Sequence, residues 1–135
     1  GGDLSATVRL RQLCPPDFAL YDGNDDHTLA LLAMGGLGVI STAANIVPRE
    51  MHRLCSLFAQ GCLQEALSLQ LSLQPLVDAL FCEVNPIPVK AALSILGLCK
   101  PYCRLPLTRA SEGTFKKVER LLISLRSNDN PPTAE

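Results

Sequence analysis

The sequence predicts an α/β chain: the last strands of a parallel barrel followed by a bundle of helices. Three observations predict it. Two short apolar runs, Phe18–Tyr21 and Val39–Ser41, each sit between segments of helical period, the alternation that marks a parallel sheet. From Pro48 onward only helical periodicity remains. Two strands also make no stable sheet in isolation, so the pattern describes the back part of something larger.

The elements follow in order. Asp3–Leu13 carries Leu4, Ala6, Val8, Leu10 and Leu13 between polar residues. It reads as an amphipathic helix capped by Asp3 or Ser5 and ended by Cys14-Pro15-Pro16. Phe18–Tyr21 is a strand entering a turn at Asp22-Gly23-Asn24. Asp25 and Asp26 then open a helix, where acidic groups favour the dipole, and Gly35-Gly36 stops it. Gly35–Asn45 follows as a buried strand with both faces covered, its small polar Ser41-Thr42-Ala43-Ala44-Asn45 end lying where parallel α/β folds place ligands. On local sequence alone a plainer reading is favoured, in which Gly35 and Gly36 end a helix and Gly38 permits close packing.

Pro48–Ala59 is a helix with Pro48 in its first turn and Met51, Leu54, Leu57 and Phe58 on one side. Leu63–Cys82 spreads leucines around much of its girth and reads as a helix buried among others. Asn85-Pro86-Ile87-Pro88 opens a third helix, Val89–Leu98, and the stretch from Pro101 to Pro106 is an irregular crossing. Ser111 begins a fourth, with Phe115, Val118, Leu121, Leu122 and Leu125 inward. Asn128–Glu135 reads as a disordered polar tail.

Composition narrows the functional classes. Of the 135 residues, 47% are hydrophobic and 19% charged, enough to bury a core and unlike a disordered chain. A formal net charge of −1 gives no support to nucleic-acid binding. No signal-peptide pattern and no run of 18 apolar residues appear, so neither a membrane span nor a leader is expected. Six scattered cysteines (14, 55, 62, 82, 99 and 103) suit buried thiols in a reducing compartment, and a cytoplasmic location is expected. Cys99-x3-Cys103 lacks a second ligand pair, so no metal site is expected, nor is a cofactor.

Residue chemistry supports no self-contained enzyme. His27 beside two aspartates is best explained as a solvated first-turn residue, and His52, among Arg49, Glu50 and Arg53, as a surface one. Capping accounts for Asp25 and Asp26 better than a carboxylate pair does, because adjacent helix residues face different ways. Lys90, alone among apolar neighbours, raises the idea of an amine nucleophile, although a first-turn lysine is more often exposed. The basic residues from Arg104 to Arg126 alternate with glutamates and read as a solvated face.

A family resemblance adds more. Gly1-Gly2-Asp3-Leu4, Gly23-Asn24-Asp25, Gly35-Gly36-Leu37-Gly38-Val39-Ile40-Ser41 with Ala44-Asn45, Asn85-Pro86-Ile87-Pro88-Val89-Lys90 and Arg104-Leu105-Pro106-Leu107 resemble, in order and spacing, the C-terminal half of the dihydrodipicolinate synthase (4-hydroxy-tetrahydrodipicolinate synthase) family. The Asn85–Lys90 string is the most specific part. It favours this family over the N-acetylneuraminate lyases and hydroxy-oxoglutarate aldolases, which share the barrel.

The resemblance implies the C-terminal half of a (β/α)8 TIM barrel with a helical extension. Residues 1–61 would hold helix six, strand seven, helix seven, strand eight and helix eight, residues 62–126 the extension, and 127–135 the tail. The implied activity is a Schiff-base lyase of lysine and diaminopimelate biosynthesis, condensing pyruvate with aspartate semialdehyde, in a homo-oligomer that is a tetramer in the family. The Schiff-base lysine would fall just before Gly1, with the tyrosine and threonines further upstream. No catalytic residue is therefore assigned within the chain, and the N-terminal half-barrel becomes its expected partner. Gly23 and Ile40, with Asn45 more weakly, carry over as substrate-binding positions, and Asn24 departs from the aspartate many members carry. A side chain at Gly38 is expected to intrude where strand eight packs tightly. The competing expectation is a non-catalytic interaction module derived from the barrel.

Overall fold

The computed structural model describes residues 3–129, with side chains as far as Leu125. Gly1 and Gly2 of the family pattern lie outside the described residues, as does the tail from residue 130. The chain divides into two compact units, one ending at Gln74 and the other beginning at Pro75.

The first unit begins with α1, Leu4–Leu13, whose N-terminus is capped as expected: Asp3 Oδ1 accepts from Ser5 N at 2.8 Å. The helix is amphipathic in sequence, yet none of its residues is buried. Strand β1 is Tyr21–Asp22, shorter and later than the run Phe18–Tyr21. Asp22, expected in the turn, belongs to the strand, because only residues opposite the second strand find ladder partners. Strand β2 is Gly38–Val39, paired parallel with β1 so that Tyr21 faces Gly38 and Asp22 faces Val39. Leu37 N donates to Leu20 O and Ile40 N to Asp22 O, both at 2.8 Å. The expectation of a strand covered on both faces fails: Gly38 is buried, but Leu37 and Ile40 are exposed.

The link between the strands starts as a 3₁₀ turn, Asp25–His27, and continues as α2, Thr28–Ala33. Gly35, at φ +82°, closes it: Gly35 N donates to Leu32 O at 3.0 Å and Gly36 N to Leu31 O at 2.9 Å. This left-handed cap uses the conformation glycine adopts without a Cβ penalty. After a second 3₁₀ turn, Ala43–Asn45, α3 runs Pro48–Ala59, the expected range, with Met51 and Leu54 buried. It packs against α2 and the second 3₁₀ turn. Helix α4, Leu63–Leu80, buries Ala66, Gln70 and Leu73 in this unit, while Leu63, Leu67 and Leu71 stay exposed. Its buried residues therefore form one inward face, and Leu63, Leu67 and Leu71, four apart, share an exposed side, so the helix is not buried all round.

In the second unit Leu76, Val77, Ala79 and Leu80 of α4 are buried. Helix α5, Ile87–Ile95, starts two residues earlier than expected because Pro88 fits the first turn. It packs on α6, Glu112–Asp129, and the two helices bury Val89, Ala92, Val118 and Leu122 among other side chains. Asn128 and Asp129, expected in the tail, belong to α6.

Ser111 caps α6, its Oγ accepting from Thr114 N at 3.2 Å. Its own N–H and hydroxyl donate to Glu83 Oε1 at 3.1 and 2.7 Å. The hydroxyls of Ser111 and Thr114 hold the Glu83 carboxyl below the usual carboxylate range. A depressed carboxyl stabilises the fold above its unfolded pKa and loses that contribution as pH falls through its folded value. Glu83→Gln is expected to melt below the unsubstituted protein near pH 7 and to converge with it as the pH falls through the folded value of the Glu83 carboxyl, as read by paired thermal scans. A difference that did not change across the acid range would refute a role for the carboxylate charge.

Candidate functional site

The carboxyl ends of β1 and β2 lie side by side because the strands are parallel, and the bond from Ile40 N to Asp22 O extends the pairing past the last ladder residue. That bond brings Ile40 next to the Asp22-Gly23 turn. Asn24 N donates to Asp22 Oδ1 at 2.9 Å, so the strand's own aspartate folds the chain round Gly23. A Cβ built on Gly23 meets nothing within 4 Å, which leaves open space over the turn. Ile40 is 75% exposed, while its backbone N–H is engaged by Asp22 O.

Beyond Ile40, Ser41 Oγ accepts from Ala44 N at 2.7 Å. Asn45 Nδ2 donates to Thr42 O at 3.0 Å, so Asn45 turns back on its own 3₁₀ turn, exposed to solvent. The sequence-based site residues therefore separate. Gly23 and Ile40 come together at one end of the sheet, whereas the Asn45 side chain is committed to a local bond.

Asp25 differs most from expectation. It opens the 3₁₀ turn that leads into α2, as expected, but is 0% exposed. Its Oδ2 accepts from Thr42 N at 3.0 Å and Ala43 N at 3.1 Å. Its main-chain carbonyl accepts from Gln70 Nε2 at 3.0 Å and from Thr28 Oγ1, also at 3.0 Å. Asp26 remains exposed, with His27 Nε2 at 3.8 Å from its Oδ2. Asp25 was concealed in the sequence because an aspartate before a helix has a sufficient local explanation in capping. Its distant partners are main-chain amides, which leave no mark on residue type.

The remaining candidates belong to other elements of the chain. His52 is exposed on α3, where Ser56 Oγ lies 3.4 Å from its Nε2. Lys90 is half-buried on α5. The six cysteines are unpaired, five half-buried and Cys82 exposed, so the thiols expected to be buried are so only in part. Desolvation pushes the Cys55 thiol upward, away from reactivity. Among the described residues no group of three or more His, Cys, Asp or Glu side chains could hold a metal ion. No helix among them is long and apolar enough to cross a membrane. A groove of about 550 Å³, lined by residues of α3 and α4 such as Arg53, Leu57 and Ser68, includes none of the strand-end residues.

Comparison with known proteins gives a consistent picture. The model of the dihydrodipicolinate synthetase family matches residues 1–125. The chain is 50% identical over 110 residues to a 4-hydroxy-tetrahydrodipicolinate synthase of Acetivibrio thermocellus, covering 82% of this chain and 38% of that one. It is 46% identical over 118 residues to the enzyme of the same name from Alkaliphilus oremlandii, covering 87% and 41%. The crystal structure of dihydrodipicolinate synthase from Thermotoga maritima superimposes with a TM-score of 0.83 at 41% identity, covering 92% of this chain and 42% of that one. The chain thus spans about two fifths of the length of its curated relatives, and its fold is the C-terminal half of a (β/α)8 barrel with its helical extension.

Proposed function

The chain belongs to the dihydrodipicolinate synthetase family, and from that premise we propose that it forms the C-terminal part of a pyruvate-dependent Schiff-base lyase condensing pyruvate with aspartate semialdehyde. The observation that carries the reading is the parallel pairing of β1 and β2, which sets the Gly23 turn and the Ile40 backbone together at one carboxyl end. Barrel enzymes build their active sites at that end. Gly23 offers room above the turn, Ile40 offers main-chain groups beside the bound pyruvate, and Asn45 shapes the neighbouring turn.

The nucleophile comes from outside residues 1–135. No lysine precedes Lys90, and the four in the sequence (90, 100, 116 and 117) all follow the barrel strands. An amine that attacks the pyruvate carbonyl and expels water must be carried to the strand ends, and all four lysines belong to the helical extension. The remaining barrel strands supply it and close over the apolar side chains left exposed here. The complete enzyme works as a homo-oligomer.

Borohydride trapping tests this reading. The full-length parent protein mixed with pyruvate and borohydride is expected to gain one reduced pyruvyl group on a lysine outside residues 1–135, and residues 1–135 alone to gain none. Peptide mass mapping that placed an adduct on Lys90 would overturn the assignment, as would a full-length protein that gained no adduct.

A further inference from the structure

We propose that Asp25 is a positioning residue of the pyruvate site: its buried carboxylate ties the loop after β1 to the turn after β2 and so sets the backbone from Ile40 to Ala43. The inference rests on the function proposed above and deepens it.

The argument starts from cost. An ionisable side chain is almost never fully buried without compensation, yet Asp25 is 0% exposed. Its Oδ1 meets no protein donor, so what compensation the protein supplies to the carboxylate rests on Oδ2. Both donors to Oδ2 are main-chain amides, Thr42 N at 3.0 Å and Ala43 N at 3.1 Å. Main-chain amides cannot turn away as side chains do, so the bonds fix where the Thr42 and Ala43 peptides lie. Ile40 stands two residues before Thr42, and Asn45 two residues after Ala43. Asp25 stands two residues after Gly23.

The carboxylate therefore spans the two loops that carry all three proposed substrate-binding positions. It is itself held at the other end. Gln70 Nε2 on α4 donates to the Asp25 carbonyl at 3.0 Å, between two buried residues, and Thr28 Oγ1 donates to the same carbonyl. A clamp anchored on one side and bonded to two consecutive amides on the other has little freedom. Fully buried, Asp25 acts through the backbone it holds and does not meet substrate.

The experiment uses the full-length parent protein and compares Asp25→Asn, Thr42→Pro and Leu54→Ala. Thr42→Pro removes one of the two amide donors at a residue whose φ of −74° proline can adopt. Leu54→Ala empties a buried position on α3 and serves as a control for lost stability alone. Three quantities are read: pyruvate KM and kcat, melting temperature, and deuterium uptake of the peptide spanning residues 41–47. Asp25→Asn and Thr42→Pro are each expected to lower kcat/KM by about 10- to 100-fold, the scale of a misplaced reacting group. The loss appears chiefly in pyruvate KM, with faster uptake over residues 41–47. Leu54→Ala is expected to lower the melting temperature with pyruvate KM unchanged.

Should one of the two clamp variants fail to fold, the other carries the measurement. Active protein in which a clamp variant lowers only the melting temperature would overturn the proposal and leave Asp25 a stabilising residue. Unchanged uptake over residues 41–47 would overturn it too. An unsubstituted full-length protein that trapped no pyruvate would instead sink the function from which the site is drawn. The uptake data would then still report whether the clamp exists.

Discussion

Gly36→Ala is expected to lose about 2–3 kcal/mol of stability, the upper part of the range for overpacking, whereas Gly38→Ala should stay within about 1 kcal/mol of the parent. A Cβ on Gly36 would lie 2.4 Å from Leu31 Cγ, 2.7 Å from its Cδ2 and 2.9 Å from its carbonyl oxygen. Leu31 cannot retreat. Its side chain is buried in α2, and its carbonyl accepts from Gly36 N and Met34 N in the bonds that close that helix. A Cβ on Gly38 would instead meet Tyr21 ring atoms at 3.6 and 3.7 Å, ordinary contact.

Among the described residues the crowded glycine of this run is thus Gly36, before the strand, while the packing expected at Gly38 involves a neighbouring strand that lies outside them. In the full-length parent protein the Gly36→Ala loss corresponds to a fall in melting temperature of about 5–10 °C. Calorimetry that found Gly36→Ala unchanged and Gly38→Ala strongly lowered would reverse the assignment.

Residues 1–135 alone are expected to self-associate at micromolar concentration and not to remain a compact monomer. Helix α1 buries none of its side chains, and Leu13 is 83%, Leu37 62% and Ile40 75% exposed. Beside them lies a two-stranded parallel sheet with no third strand among the described residues, so each strand presents an unpaired edge that another chain can extend. In a closed barrel such edges do not exist, and exposed apolar patches of this kind mark surfaces meant to be covered. Sedimentation velocity checks the expectation. The double variant Leu37→Lys, Ile40→Lys is expected to reduce association by placing charge on the exposed strand end. A monodisperse unsubstituted chain with a cooperative thermal transition would refute it.

Much of the helical framework is legible in the sequence, and the reasons are local. Pro48 in the first turn and the Met51, Leu54 spacing set α3 to the residue. Asp3 caps α1, Gly35 ends α2 and Ser111 caps α6, each through bonds that span a few residues. Helix bonds close within four residues, so residue type alone can mark where they begin and stop. Family resemblance singled out Gly23 and Ile40 as candidates, and the parallel alternation that places them side by side was legible through periodicity.

Other features belong to the tertiary structure alone. The ladder covers Tyr21–Asp22 and not Phe18–Tyr21, because strand limits depend on what lies opposite. Which leucines of α4 are buried depends on its neighbours, and which glycine is crowded depends on where Leu31 sits. Asp25 shows the division most sharply. An aspartate ahead of a helix announces a cap, but its bonds to the amides of Thr42 and Ala43 cross a helix and a strand. Residue type determines what a side chain can bond to within its own turn. Only the folded path of the chain decides which distant amide it meets, because every residue offers the same backbone donor and the sequence holds no sign of which one will arrive.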